Sequence, residues 1–295
     1  MQSKLTDLTT AAKLVPSGSS IAIGGSILRR SPAAFVRELI RQGVKDLTVV
    51  GFPAGFTTDM LAGVGALKRV EAVYVGLFQF GMAYNFRRGV EAGQISVGDF
   101  PETAQIARFK AASMGLSFMP TKVLLGTGMA KHNPEQIREM TCPFTGEKYH
   151  AVQAAVTDFT VIHGYTGDEF GNVQWPEQRD SDDIDFIMAK AAKRLIVTVE
   201  RIVPHAEIAR RPNLTYIPHN WVEAIVEVPY GAHPGACDGY YDDDDEHFEY
   251  YQQCSKEPGR WLKEYAAEFI YGPKDHWDYL QKALPVRKLA ELSVR

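Results

Sequence analysis

Short apolar runs and amphipathic stretches alternate along most of the chain, and the period of each separates strand from helix. The apolar triplet at 21–23 follows the turn residues of 17–20 and ends on Gly24 and Gly25, which reads as a turn and a strand. KDLTVVGF at 45–52 is β-branched and apolar throughout, the pattern of a strand covered on both faces. Between them, SPAAFVRELIRQG at 31–43 predicts a helix with Ser31 at the N-cap, Pro32 at the first helical position and Gly43 at the stop. An earlier helix is predicted over 5–14, capped by Thr6 or Asp7. Further helices are expected at 57–67, 101–115 and 182–192, and further strands at 69–76, 122–128, 154–164, 193–203, 214–218 and 224–229. No internal repeat at a fixed period is visible.

Strand and helix in alternation predict an α/β protein: an open, mostly parallel sheet with helices on both faces. Residues 1–234 read as one such domain. After Pro234 the chain becomes acidic and aromatic, then helical at 246–257 and 259–272, so 235–295 is expected to be a helical extension packed on the same domain or on a partner.

Composition narrows the class of function. The 295 residues are 45% hydrophobic and 23% charged, enough for a sizeable core. A net charge of −4 offers no basic face for nucleic acid. Three widely spaced cysteines, Cys142, Cys237 and Cys254, form neither a disulfide framework nor a CxxC pair, which fits a reducing compartment. The N-terminal stretch lacks the apolar centre of a signal peptide, and no apolar run reaches the roughly 18 residues of a membrane span. A cytoplasmic protein is expected.

Candidate chemistry begins at GGSILRRSP. Glycines at the carboxyl end of a parallel strand let a backbone or a ligand come close, and such ends are where open α/β sheets bind ligands. Arg29 and Arg30 suit a phosphate or carboxylate, or else they are solvated cations beside a tight turn. GGS is not GxGxxG and no P-loop lysine follows, so neither a dinucleotide nor a nucleoside triphosphate site is indicated. Glu102 opens a predicted helix, where the helix dipole favours a carboxylate; facing a cleft, the same carboxylate would serve as base or nucleophile. GYTGDEFGN predicts a structural turn held by Asp168 and Asn172. His163 before it has no metal-ligand spacing, and no GxSxG occurs. The acidic run 242–246 lacks the spacing of a calcium loop and predicts a solvated helix start; no metal is expected. PYGAHP at 229–234 predicts a rigid turn that presents Tyr230 and His233 to a pocket or a subunit contact.

Five of these stretches in order, 21–51, 102–122, 163–175, 194–203 and 222–234, resemble the α subunit of the family I coenzyme A transferases, closest to glutaconate CoA-transferase and the related steroid-ring-opening CoA hydrolases. The resemblance implies the CoA-transferase (NagB/RpiA-like) fold and a heterodimer or heterotetramer with a β subunit. It also implies a coenzyme A thioester as substrate, with no permanently bound cofactor. The nucleophilic glutamate of such transferases lies on the β subunit in an E-x-G context. The three E-x-G triplets here, at Glu91, Glu169 and Glu257, do not stand at a strand–helix turn. The implied role of Gly24, Gly25 and Ser26 is a backbone-lined acyl pocket, and that of Arg29 or Arg30 a grip on the free carboxylate of a dicarboxylic substrate. In the hydrolase branch the important glutamate falls on the α chain at Glu102, as a base for retro-Claisen ring opening. The stretch GGSILRRSP departs from that branch, which carries an aromatic residue and a further glycine after the pair. A non-catalytic ligand-binding chain on the same fold is the remaining alternative.

Overall fold

Seven parallel strands run through the middle of the computed structural model, which describes residues 1–177 and 184–294. Their spatial order is Val222–Glu227, Leu195–Ile202, Phe159–Gly167, Ser20–Ile23, Leu47–Val50, Leu67–Ala72 and Ser96–Asp99. Two short strands, Val173–Gln174 and Thr215–Ile217, continue the sheet antiparallel from the end of Phe159–Gly167. The first four parallel strands in chain order step away from Ser20–Ile23 on one side, and the last three step away on the other. The order therefore reverses between Ser20–Ile23 and Phe159–Gly167, and in open α/β sheets the ligand crevice forms outside the carboxyl ends at such a point.

Both faces of the sheet are covered, which is why its strands read as unbroken apolar runs. On one face the helices Ala33–Arg41 and Phe56–Gly63 bury Phe35, Leu39 and Phe56 with Val49 and Val161 of the sheet. On the other, Glu102–Ser113 and Ile184–Ala191 bring Phe109 and Met188 onto Ala22 and Val50. The tail helices Asp245–Lys256 and Leu262–Tyr271, the latter wound as a π-helix, add Phe248, Tyr251, Trp261 and Tyr265 to the first core. The Phe56 ring meets Tyr251 edge-on at 4.7 Å, and a Cβ on Gly63 would lie 2.5 Å from the Trp261 ring. The tail thus shares its core with the first 65 residues.

Several local expectations change. Ser31 does not cap its helix: the helix begins at Ala33 behind Pro32, and the Ser31 hydroxyl shares a hydrogen bond with Thr57 Oγ1 at 3.0 Å. The strand expected at 122–128 is a series of turns, with Leu125 N donating to Lys122 O and Gly126 at φ +78°. The strand of that region is Phe118–Thr121, which joins Ile137–Thr141 and Lys148–Gln153 in a small antiparallel sheet that the apolar pattern does not reveal. Pairing with Lys148–Gln153 ends at Thr121, so the next residues have no strand to bond to. The acidic run is only partly solvated: Asp244 is buried, caps its helix at His247 N and takes a hydrogen bond from His233 Nε2 at 3.1 Å. The first two residues of the helix expected at 182–192 lie outside the described residues, and the helix is seen over Ile184–Ala191. No helix among the described residues is long and apolar enough to cross a membrane.

Asp59, fully buried on the Phe56–Gly63 helix, joins that helix to the tail. It accepts from Tyr251 OH at 2.5 Å, Phe86 N at 2.8 Å and Asn85 Nδ2 at 3.1 Å. Burial pushes its pKa up to about 6, against the pull of those donors. A carboxyl whose folded pKa is raised binds its proton more tightly in the folded state. Its stabilising contribution is therefore complete below the unfolded value of 3.8 and is lost as pH rises through about 6. Unfolding free energy measured in urea should fall by roughly 3 kcal/mol more for the wild type than for Asp59→Asn between pH 4 and 7. Parallel pH profiles for the two proteins would contradict this assignment.

Candidate active site

Three loops close over the carboxyl ends of the strands, and glycines let them interlock. Residues 24–30 follow the first strand, 51–55 the second, and 229–238 the strand Val222–Glu227. Gly25 sits at φ +80°, where a Cβ would lie 2.4 Å from Arg29 O. A Cβ on Gly55 would lie 2.4 Å from Ile27 O, and one on Gly235 only 1.8 Å from Leu28 O. Ile27 and Arg30 take left-handed φ values of +53° and +51° within the first loop, a conformation that costs a non-glycine residue roughly 1–3 kcal/mol and persists only where surroundings enforce it. The close approach that the paired glycines permit is thus made by the chain itself.

The charges are used in the same way. Arg30 is 1% exposed, and its guanidinium pairs with Asp185, which is fully buried on the Ile184–Ala191 helix. The other Asp185 oxygen accepts from Gly25 N at 2.8 Å. Arg29 points outward, its side chain half exposed, and pairs with Asp238 of the third loop. Arg30 is therefore enclosed by its carboxylate partner, while Arg29 keeps a solvent-facing side.

The backbone donors of the glycine loop are also taken. Gly24 N donates to Val161 O at 2.8 Å, Gly25 N to Asp185, and Ser26 N to Arg29 O at 2.8 Å. Those three N–H groups cannot form an oxyanion hole while the loop keeps this shape. Donors of another origin reach the same place. Gly24, Gly51, Gly55, Thr57 and Thr58 line a cavity of about 10 Å³, roughly the volume needed to hold one water molecule. Thr57 and Thr58 begin the Phe56–Gly63 helix, whose first N–H groups no carbonyl of that helix can reach.

Glu102 starts the Glu102–Ser113 helix and is exposed. One turn on, Gln105 Nε2 donates to Gly51 O at 2.7 Å and to Glu71 O at 3.2 Å. Glu102 thus stands on the rim of the edge that carries Gly24, without lining the same cavity. The structure brings Gly24 to the cavity and leaves Gly25 and Ser26 beside it, with Arg30 tied beneath and Arg29 on the surface. Gln105, Asp185 and Asp238 complete the arrangement. They carry no sequence signal, because a lone Gln or Asp on a helix or in a loop looks like any surface residue.

Below the third loop lies a buried polar cluster. Glu200 accepts from His163 Nε2 at 2.6 Å, Tyr241 OH at 2.6 Å and Tyr230 N at 2.7 Å, while His163 Nδ1 shares a hydrogen bond with Thr198 Oγ1. Gly231 lies against the imidazole, since a Cβ there would be 2.5 Å from His163 Cε1. The histidine therefore props the PYGAHP turn rather than lining a pocket. Cys237 comes close enough to His163 and Glu200 to share a metal, as His233 and His247 do to Asp244. Burial and the Glu200 carboxylate push the Cys237 thiol far up, so it stays protonated, which does not suit a metal thiolate. His233 has both ring nitrogens engaged, with Tyr279 OH and Asp244, and burial lowers its pKa. Asp168 accepts from Phe170 N, Asn172 N, Asn172 Nδ2 and His205 Nδ1; burial alone would raise its pKa, but these donors hold it down. The GDEFGN turn is built around that carboxylate.

Residues 5–228 match the family described as coenzyme A transferase. The chain belongs to the coenzyme A transferase family. Its backbone superposes on the crystal structure of glutaconate coenzyme A-transferase from Acidaminococcus fermentans with a TM-score of 0.93, covering 99% of this chain and 96% of that one at 33% identity. Among curated relatives, the α-type chain of glutaconate CoA-transferase from the same organism is 34% identical over 96% of this chain and 92% of its own length. The cholesterol ring-cleaving hydrolase IpdA subunit of Rhodococcus jostii is 30% identical over 98% of this chain and 97% of its own. An uncharacterised protein of Archaeoglobus fulgidus is 36% identical over 95% of this chain, which spans only 62% of that protein's length. This CoA-transferase chain is therefore of the α type, with the open parallel sheet of that family.

Proposed function

We infer that the chain is the α subunit of a heteromeric CoA-transferase, which moves CoA between an acyl-CoA and a small, possibly dicarboxylic, acid. The observation that carries this reading is a conjunction. The chain matches the α-type chain of a transferase over almost its whole length, yet its strand-end crevice has room for about one water molecule and, among the described residues, no carboxylate lines it. A partner chain has to bring the nucleophile and the rest of the pocket. Its glutamate oxygen attacks the thioester carbon and expels CoA thiolate, leaving a mixed anhydride. The thiolate then attacks the glutamyl carbonyl, releasing the first acid and forming a glutamyl-CoA thioester. The acceptor carboxylate repeats the sequence in reverse and leaves with CoA. Each attack puts negative charge on a carbonyl oxygen, and the N–H groups at the start of the Phe56–Gly63 helix, in the wall shared with Gly24, are the donors this chain can aim at it. Ser26, half-buried at the mouth, and the outward side of Arg29 are the groups placed to meet the acid. The reading puts the reaction in the cytoplasm, where Cys142, Cys237 and Cys254, all free, stay reduced.

A second reading has one observation in its favour. Glu102 lies one helical turn from the glutamine that binds Gly51 O, on the active rim, and this is the position of a base in a ring-opening hydrolase of a cyclic CoA thioester. Glu102→Gln separates the two. In the complex with its partner, a transferase should keep its kcat/KM within about threefold, because an exposed carboxylate off the reacting centre supplies little transition-state stabilisation. Loss of two or more orders of magnitude, the scale of a missing general base, would favour the hydrolase.

A further inference from the structure

We propose that a second cavity, on the same edge of the sheet as the glycine loop, holds the phosphorylated nucleoside end of the acyl-CoA. The proposal rests on the thioester reading above. The cavity, about 470 Å³, lies over the carboxyl ends of Phe159–Gly167 and Leu195–Ile202. Trp175 and Tyr240 belong to its wall, and three guanidinium groups, Arg201, Arg210 and Arg211, stand at its mouth. All three arginines are exposed. Elsewhere the arginines of this chain are mostly matched to carboxylates, as Arg69 and Arg108 are to Glu71 and Arg194 is to Glu223. At this cavity the only such contact is Arg201 Nε donating to Thr166 Oγ1 at 3.1 Å, and no carboxylate pairs with any of the three among the described residues. Glu207 is the one carboxylate in the described lining, so the mouth carries a formal charge of +2 (three arginines less one glutamate) in a chain whose net charge is −4.

Unmatched guanidinium groups above an aromatic and aliphatic wall are complementary to a purine nucleoside bearing several phosphates, since guanidinium pairs bidentately with phosphate and aromatic faces accept a base. The placement fits a long thioester. Ile23, just before Gly24, is in register with Val161, and Tyr165 of the cavity lies four residues further along that strand, about 13 Å toward the carboxyl edge. An extended pantetheine arm lying along this edge joins the two sites, with its sulfur at the glycine loop and its phosphates at the arginines.

The test is calorimetry on the complex of this chain with its β partner, titrated with CoA, dephospho-CoA and adenosine 3′,5′-bisphosphate, for the wild type and for the Arg210→Ala/Arg211→Ala double variant. The wild type should bind CoA about tenfold more tightly than dephospho-CoA, and the double variant should lose that preference along with most of the bisphosphate binding. A double variant that binds all three as the wild type does, in a complex that turns over acyl-CoA, overturns the cavity's role and leaves the transferase reading intact. Arginine-dependent binding of the bisphosphate in a complex that processes no acyl-CoA overturns both, and makes a free nucleotide the occupant. Loss of assembly on gel filtration with unchanged CoA affinity assigns the arginines to the contact between chains and also overturns the proposal.

Discussion

Arg30→Ala is expected to destabilise the chain by about 3–5 kcal/mol, whereas Arg29→Ala should cost less than about 1 kcal/mol. The adjacent arginines differ in what surrounds them. Arg30 and Asp185 are both sealed from water, so removing the guanidinium leaves a carboxylate at the root of the Ile184–Ala191 helix without its buried counter-ion. Asp185 also takes the Gly25 N–H, so its displacement loosens the glycine loop as well. Arg29 and Asp238 face solvent, where water and salt already screen the pair. Urea unfolding of the two variants measures the difference. Equal, small effects would mean that Arg30 is not a structural ion pair and would restore it as a candidate for gripping substrate.

Gly235→Ala tests the interlock of the loops. Its Cβ would lie 1.8 Å from Leu28 O and 3.3 Å from Ala232 O, both backbone atoms, so no side-chain rotation relieves the clash. Leu28 O also accepts from Ala236 N at 3.0 Å, and Arg30 N donates to Ala236 O at 2.8 Å, so the two loops must separate together. Strain of this kind costs about 1–3 kcal/mol or more. The variant should lose stability on that scale and also lose most of its activity in the complex, because the displaced 24–30 loop forms the wall of the crevice. Gly239→Ala, in the same segment, has nothing within 4 Å of the added carbon but sits at φ +77°. It controls for backbone strain without a clash and should leave activity largely intact. Full stability and activity in Gly235→Ala would show that the loops are not locked as described.

Much of this architecture is legible in the sequence, for a physical reason. Strands covered on both faces and helices with one apolar stripe leave periodic records, so KDLTVVGF and SPAAFVRELIRQG can be placed within a few residues. The small sheet around 118–153 leaves a faint record because much of it is exposed: Phe118 and Pro120 of its first strand face water, and the run after it has no partner to pair with. The glycine pair points to the right edge of the sheet but not to what crowds it. The atoms that demand glycine there belong to Arg29, Arg30 and Asp185, the last 160 residues away from Gly25. The same distance hides the role of Arg30. A doublet of arginines after two glycines suggests anion binding in either position, and only folding reveals that one of them faces a buried aspartate. His163 is likewise a prop for the third loop because Thr198 and Glu200, on the neighbouring strand, close around it.

The central claim is a division of labour: this chain walls the crevice, and a partner supplies the carboxylate that becomes acylated. Incubation with acyl-CoA followed by borohydride or hydroxylamine, with mass spectrometry of each chain, measures it directly. The account predicts that a modified glutamate appears only after the partner is added, and on the partner. A trapped acyl adduct on a glutamate of this chain, or full turnover by this chain alone, would contradict it.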